Sequence, residues 1–140
     1  MGCCLHTEAE WQYACRSGTT TPFSTGINLT TDQANYDGNH PYNNHPKGKF
    51  RKMTLEVGSF ESNAWGLYDM HGNVWEWCSD WYGATPATTQ INPTGPSEGS
   101  ERVIRGGSWI FGAKYCRSAR RNEPGAFGAD NDLGFRLVIL

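Results

Sequence analysis

Regular hydrophobic periodicity in this chain begins with one short amphipathic segment. Thr7, followed by a glutamate three residues later, is a capping box, in which each side chain bonds a main-chain N–H at the start of a helix. Trp11 and Ala14 or Cys15 then fall on one face at helical spacing, and Gly18 marks the end. The pattern predicts a short structural helix with no catalytic role for its glutamates.

Three later stretches have the patterns of strands. Residues 74–77, Val-Trp-Glu-Trp, alternate as a strand does and directly follow a Gly-Asn turn. Residues 102–109 predict a buried strand that runs into Gly106 and Gly107, where the missing side chains let another segment approach closely. Residues 133–140 are strongly apolar and predict a final, central strand.

The rest of the chain is polar and rich in turn formers. Residues 84–101 have the composition of a surface loop, and residues 17–62 lack periodicity over most of their length. Aromatic residues recur through the longer segment, which predicts a loop pinned to the core and not a disordered one. His40 and His45 lie five apart in it. A metal pair is conceivable there, but exposed loop histidines without a neighbouring cysteine are the simpler interpretation.

The composition is typical of one globular domain over residues 1–140. Its 17 glycines and 6 tryptophans favour loops packed by aromatic side chains over long helices. The net charge of −2 gives no electrostatic basis for binding nucleic acid, and no apolar run reaches the length of a membrane span. No secretory signal is visible. The cellular location and the oligomeric state both stay open.

Oxygen donors recur within the aromatic stretch around residue 70. Asp69 and Glu76 each offer a carboxylate, and the carbonyls of Gly72 and Val74 face the same way as Glu76 in an extended chain. Ca²⁺ takes six to eight such oxygens, so these four residues are a candidate calcium site. The alternative interpretation is structural: Asp69 caps the turn and Glu76 pairs with an arginine.

Residues 66–83, GLYDMHGNVWEWCSDWYG, resemble the signature of the formylglycine-generating enzyme, or sulfatase-modifying factor, family. Residues 5–18, 102–109 and 115–138 resemble further family segments in the same order. The resemblance covers nearly the whole chain. It implies an α+β fold of the formylglycine-generating-enzyme type, an elaborated C-type lectin fold with little regular secondary structure, and an N-terminal part that is missing here.

The resemblance also implies bound ions and a cysteine pair. In the family, the positions that match the four residues of the candidate site bind a structural calcium ion. A second calcium site is implied at Asn35 and the Tyr36 carbonyl, although its carboxylate position falls near Lys49 here. Cys15 and Cys116 match positions that join as a disulfide in some members. We expect the two to be neighbours, with their oxidation state set by the compartment.

Catalysis in this family uses two cysteines, five apart, that bind copper(I) and activate oxygen. Soft thiolates are the ligands that copper(I) selects. Phe111 stands at the first of those positions and the second is missing, so we expect no copper and lean against an enzyme. His71 lacks a visible partner for a role as a base. The alternative function is an oxygen-dependent oxidase of the parent family that acts on a protein cysteine.

Variable proteins of diversity-generating retroelements share this fold and carry their variable surface after the same strand. The resemblance therefore implies a non-catalytic module, of bacterial or phage-type origin, that binds a protein or small-molecule ligand through residues 110–132. Two interpretations of the apolar residues stay open, a ligand patch or simple core. The candidate ligand-binding residues are Ile110, Phe111, Gly112, Lys114, Tyr115, Asn122, Glu123, Phe127, Asn131 and Asp132.

Overall fold

A computed structural model describes residues 2–126 and 131–139 of the chain. Within these residues, one α-helix, α1 (Glu8–Arg16), and six short strands are joined by long loops and by two 3₁₀ turns at Ala113–Cys116 and Pro124–Ala126. This confirms the expected α+β fold with little regular secondary structure. The strands are β1 (Cys3–Leu5), β2 (Trp75–Trp81), β3 (Arg102–Arg105), β4 (Arg121–Asn122), β5 (Leu133–Gly134) and β6 (Leu137–Ile139).

The strands form two separate sheets. The larger has the order β4-β3-β2-β5, with β2 antiparallel to β3 and parallel to β5. The smaller pairs β1 with β6 in antiparallel fashion, with Cys4 opposite Val138. Because β2 is central and seven residues long, it carries the aromatic stretch through the middle of the molecule.

Helix α1 begins as its sequence predicts. The Thr7 hydroxyl accepts from the Glu10 N–H at 3.2 Å, and the Glu10 carboxylate accepts from the Thr7 N–H at 2.7 Å. Trp11 and Cys15 are buried. The helix also ends as predicted, with Ser17 as the C-cap residue and Gly18, at φ 91°, directly after it. Ser17, at φ 44°, takes the left-handed position and donates its N–H to the Tyr13 carbonyl.

Two buried clusters make up the core. One, beside β2 and β3, contains Trp11, Cys15, Met70, Cys78 and Val103. The other anchors the long polar loop and includes Phe23, Leu29 and Tyr36, so the prediction of a loop pinned by aromatics is confirmed. Cys78 is fully buried among these apolar residues, as expected of a filler.

Gly106 and Gly107 end β3 and let two other segments come close. Both have positive φ, 99° and 74°, a region that side-chain-bearing residues rarely adopt. A Cβ at Gly106 would lie 3.1 Å from the Trp11 ring, and one at Gly107 would lie 2.6 Å from Cys116 Sγ. The predicted close approach is therefore confirmed.

The prediction of one continuous, central C-terminal strand is wrong. The segment divides into β5 and β6, interrupted at Phe135 and Arg136. Arg136 turns towards Glu76 and donates two hydrogen bonds to its carboxylate, which breaks the strand's alternation. Strand β6 then lies in the small sheet, with Leu137 and Ile139 exposed.

Candidate calcium site and ligand-binding surface

The four predicted calcium ligands line one cavity. Asp69, Gly72, Val74 and Glu76 all border a space of about 200 Å³ beside β2. The chain bends around it because Asp69 and Gly72 have positive φ, 55° and 83°. Gly72 is also fixed in place by its N–H, which donates to the Gly106 carbonyl at 2.7 Å. The sequence interval thus brings two carboxylates and two carbonyl-bearing residues to one place.

Glu76 is at the same time the partner of an arginine. The residue is 5% exposed, and its carboxylate accepts hydrogen bonds from Arg136 Nη2 at 2.7 Å and Arg136 Nε at 2.9 Å. Its Oε2 also accepts from Trp11 Nε1 at 2.8 Å. The structural interpretation of Glu76 is therefore correct, and a calcium ion at this position would share the carboxylate with Arg136.

The donor chemistry around residues 35–76 fits calcium. Asp69 places its Oδ2 2.7 Å from the Gly58 N–H and lines the cavity. In the region of the implied second site, Asn35 Oδ1 is buried and has no hydrogen-bond partner, while its Nδ2 donates to Met53 and Asn73. A buried amide oxygen without a donor is costly, and a cation would satisfy it. Tyr36 adjoins Asn35, with its ring buried and its hydroxyl donating to the Leu29 carbonyl.

The cysteine pair surrounds a buried histidine. Cys15 Sγ lies 3.8 Å from His71 Nε2, and His71 Nδ1 donates to the Cys116 carbonyl at 2.7 Å. Both thiols are free in the structure. Burial raises the pKa of Cys15 to about 11 and, with Cys15 nearby, raises that of Cys116. Both residues contact His71, and their thiols are protonated and enclosed, as structural cysteines are. A bond between the two cysteines stays a prediction.

His71 is held in its neutral form. Nε2 accepts from the Ser24 N–H at 3.0 Å, with the Ser24 hydroxyl also at 3.0 Å, which leaves the proton on Nδ1. Burial lowers the pKa of His71 to about 4. The residue therefore joins three loops and does not have the properties of a general base poised near neutral pH.

Phe111, at the position where the resemblance implies a copper-binding cysteine, lies among other aromatic rings. Its ring packs edge-on against Trp75, with centroids 5.9 Å apart, and against Tyr115 at 5.1 Å. Within residues 2–126 and 131–139, no cluster of three or more His, Cys, Asp or Glu side chains could hold a metal ion. The candidate calcium sites combine two carboxylates, Asp69 and Glu76, with main-chain and amide oxygens.

Residues 110–115 form one wall of an open groove of about 760 Å³, here called the 110–115 groove. Loop 37–47 forms its other wall. The walls are joined by two main-chain hydrogen bonds, from Asp37 N–H to the Phe111 carbonyl at 2.9 Å and from Ala113 N–H to the His40 carbonyl at 3.0 Å. Gly112 is buried at the junction, where an added Cβ would lie 2.7 Å from His40 Cβ. The groove is thus built into the fold.

The candidate ligand residues divide into three groups. Ile110, Lys114 and Asn131 are exposed, and Phe111, Tyr115 and Glu123 are half-buried. Asn122 lies buried in β4 opposite Ile104, and buried Asp132 accepts from the Ser108 hydroxyl at 2.5 Å, so these two belong to the frame below the surface. Phe127 lies outside the described residues.

Sequence reasoning missed the second wall of the groove. For this part of the chain the sequence predicts only a loop pinned to the core with two exposed histidines. The pairing of a polar loop with a distant turn leaves no periodic signal. The aromatic residue Tyr42, which packs edge-on against Phe23 at 5.2 Å, is the one hint of where the loop is anchored.

The geometry defines a class: a mixed fold of the formylglycine-generating-enzyme type, with an oxygen-lined turn beside the central strand and an exposed groove at the end of β3. The chain belongs to the family of sulfatase-modifying factor enzyme 1-like domains, which it matches over residues 2–140. No helix among the described residues is long and apolar enough to cross a membrane.

Individual relatives agree with this assignment. The chain is 38% identical over 143 residues to the formylglycine-generating enzyme of Bos taurus, across 96% of this chain and 38% of that enzyme. It is 38% identical over 141 residues to the serine/threonine-protein kinase pkn1 of Chlamydia caviae, across 96% and 20%. The solved structure of Treponema denticola variable protein 1 is similar with a TM-score of 0.77 and 36% identity, across 97% and 47%. The chain spans less than half the length of these relatives.

Proposed function

We propose that the chain is a non-catalytic binding module that presents a variable surface for a protein or small-molecule ligand and is braced by calcium. The observation that carries this proposal is the 110–115 groove, whose walls are joined by main-chain hydrogen bonds and whose rim carries exposed side chains. It lies directly after the strand end at Gly106 and Gly107. Similarity to Treponema denticola variable protein 1 across 97% of the chain supports the same interpretation.

The frame beneath the groove is suited to surface variation. Ser108, Cys116 and Ser118 are fully buried, and Cys116 packs against the main chain of Gly107. Ile110 and Lys114 lie between these buried residues in sequence and are exposed, Ile110 by 41%. Because the buried residues make the frame contacts, substitutions at the exposed positions leave those contacts in place.

Calcium would serve as structural support beside this frame. Asp69, the carbonyls of Gly72 and Val74, and Glu76 would hold one ion, and Asn35 with the Tyr36 carbonyl would contribute to a second. An ion there joins the 69–76 turn to β2 and adds its binding free energy to folding.

The surroundings of residue 111 support a role without catalysis. Phe111 places an aromatic ring where a thiolate is needed, and the fully buried Cys116 thiol has its pKa raised by burial. A copper(I) centre of the parent family requires two ionised thiolates.

The coding DNA gives the sharpest test. The proposal predicts that a near-copy of codons 108–136 follows the gene, with adenines in that copy at the positions where the two differ. It also predicts an accompanying gene for a reverse transcriptase. A functional assay complements it: the purified protein, supplied with copper and oxygen, should form no aldehyde on a cysteine peptide. Copper-dependent aldehyde formation would contradict the proposal and return the chain to the oxidases.

A further inference from the structure

The 110–115 groove carries an excess of cationic groups on a chain whose net charge is −2. Lys47 lines it from loop 37–47, and Lys114 lines it from the opposite wall. In the part of the chain that the structure describes, neither Lys47 nor Lys114 forms an ion pair with a carboxylate. The local charge is therefore opposite in sign to that of the whole molecule and is available to a ligand.

The acidic residue that lines this groove, Asp37, is already engaged. The residue is 8% exposed, and its Oδ1 accepts from the Asn39 N–H at 3.0 Å and from Asn39 Nδ2 at 2.9 Å. Its Oδ2 lies 3.7 Å from His40 Nε2. The carboxylate thus holds the loop in shape, and its single negative charge is outnumbered by the two lysines that line the groove.

Further cations and aromatic rings stand at the 110–115 wall. Lys114 Nζ and the Arg120 guanidinium each lie 5.0 Å from the centroid of the Tyr115 ring. Arg117 donates its Nε–H to the Lys114 carbonyl and lies 6.0 Å from the Tyr42 ring centroid. Cations spread along an open groove beside aromatic rings match several separate carboxylates and apolar side chains better than one compact anion.

We propose that the 110–115 groove binds an acidic peptide segment of a protein partner, with carboxylates on Lys47 and Lys114 and apolar side chains over the Phe111–Tyr115 wall. The inference rests on the proposed function and adds the class of ligand to it. Electrostatic recognition of this kind weakens as salt screens the exposed charges.

The test is fluorescence polarisation with three labelled twelve-residue probes: alternating Glu-Tyr, Gln-Tyr and Lys-Tyr peptides. The Glu-Tyr probe should bind most tightly, and its affinity should fall as sodium chloride rises from 50 to 300 mM. Reversing one rim charge, Lys114→Glu, should weaken that binding by about fivefold. Lys52→Glu, an exposed lysine that does not line the groove, is the matched control and should change it by less than about twofold.

Several outcomes would overturn this ligand class. Equal affinity for the Glu-Tyr and Lys-Tyr probes, or equal effects of Lys114→Glu and Lys52→Glu, would contradict it. Equal or tighter binding of a single-stranded oligonucleotide of the same length would assign the groove to a different polyanion. In each case the near-copy of codons 108–136 and the absence of oxidase activity would still support the binding module. The two proposals can therefore fail separately.

Discussion

Replacing Glu76 by glutamine tests how the central strand is held to both ends of the chain. The carboxylate accepts two hydrogen bonds from Arg136 and one from Trp11, at 2.7 to 2.9 Å, and the residue is 5% exposed. Glutamine keeps one acceptor oxygen, removes the charge, and turns an NH₂ group towards the Arg136 donors. Removing one partner of a buried ion pair costs about 3–5 kcal/mol.

We expect the lower end of that range, about 3 kcal/mol, because the Arg136 side chain is 27% exposed and water satisfies part of it. For a domain of this size the loss corresponds to a fall in Tm of about 10 °C. Urea titration and thermal melts followed by circular dichroism measure both quantities, in chelator so that calcium does not contribute. Glu98→Gln, at an exposed loop position, is the control. A Glu76→Gln change of less than about 1 °C would refute the reasoning.

Three further predictions concern buried groups. Because the folded-state pKa of His71, about 4, is below its unfolded value, its contribution is complete above pH 6.5 and is lost as pH falls towards 4. His71→Gln should therefore flatten the stability–pH curve by about 3 kcal/mol across that window, and an unchanged slope in urea titrations would contradict this. Gly107→Ala should destabilise by more than about 3 kcal/mol, because the new Cβ meets Cys116. Gly66→Ala, at a similar φ but in open space, should cost only about 1 kcal/mol, and equal losses in denaturant titrations would oppose the packing argument. Iodoacetamide labelling followed by mass spectrometry should modify the N-terminal thiols at once, and early labelling of a buried thiol before unfolding would be inconsistent with the fold. The thiols expected to react only on unfolding are Cys15, Cys78 and Cys116.

Local signals in the sequence predicted those parts of the fold that depend on near neighbours. The capping box at Thr7 works within one helical turn, and the glycines at 106–107 can adopt positive φ because they lack a Cβ. The spacing of donors from 69 to 76 also lies within one turn and the start of one strand. Because these features depend on near neighbours, the local sequence was enough to predict them.

Features that depend on distant contacts were not readable in the same way. Strand β6 pairs with β1 across nearly the whole chain, and its apolar sequence gave no sign that it would lie in a small outer sheet. Arg136 breaks the C-terminal strand by pairing with Glu76. That partner is sixty residues away in sequence, so the local sequence gave no sign of the break. The second wall of the groove likewise depends on one polar loop meeting another segment. Sequence position alone places Asn122 and Asp132 on the candidate surface, and their burial follows from pairing with Ile104 and Ser108.

Metal content of the purified protein, measured by mass spectrometry together with thermal melting with and without chelator, tests the central claim most directly. A calcium-braced binding module predicts at least about one calcium per chain, no copper, and a lower Tm after chelation. Copper at one ion per chain, with a Tm indifferent to calcium, would contradict the account. It would return the chain to the oxidases and show that the 69–76 turn needs no ion for stability.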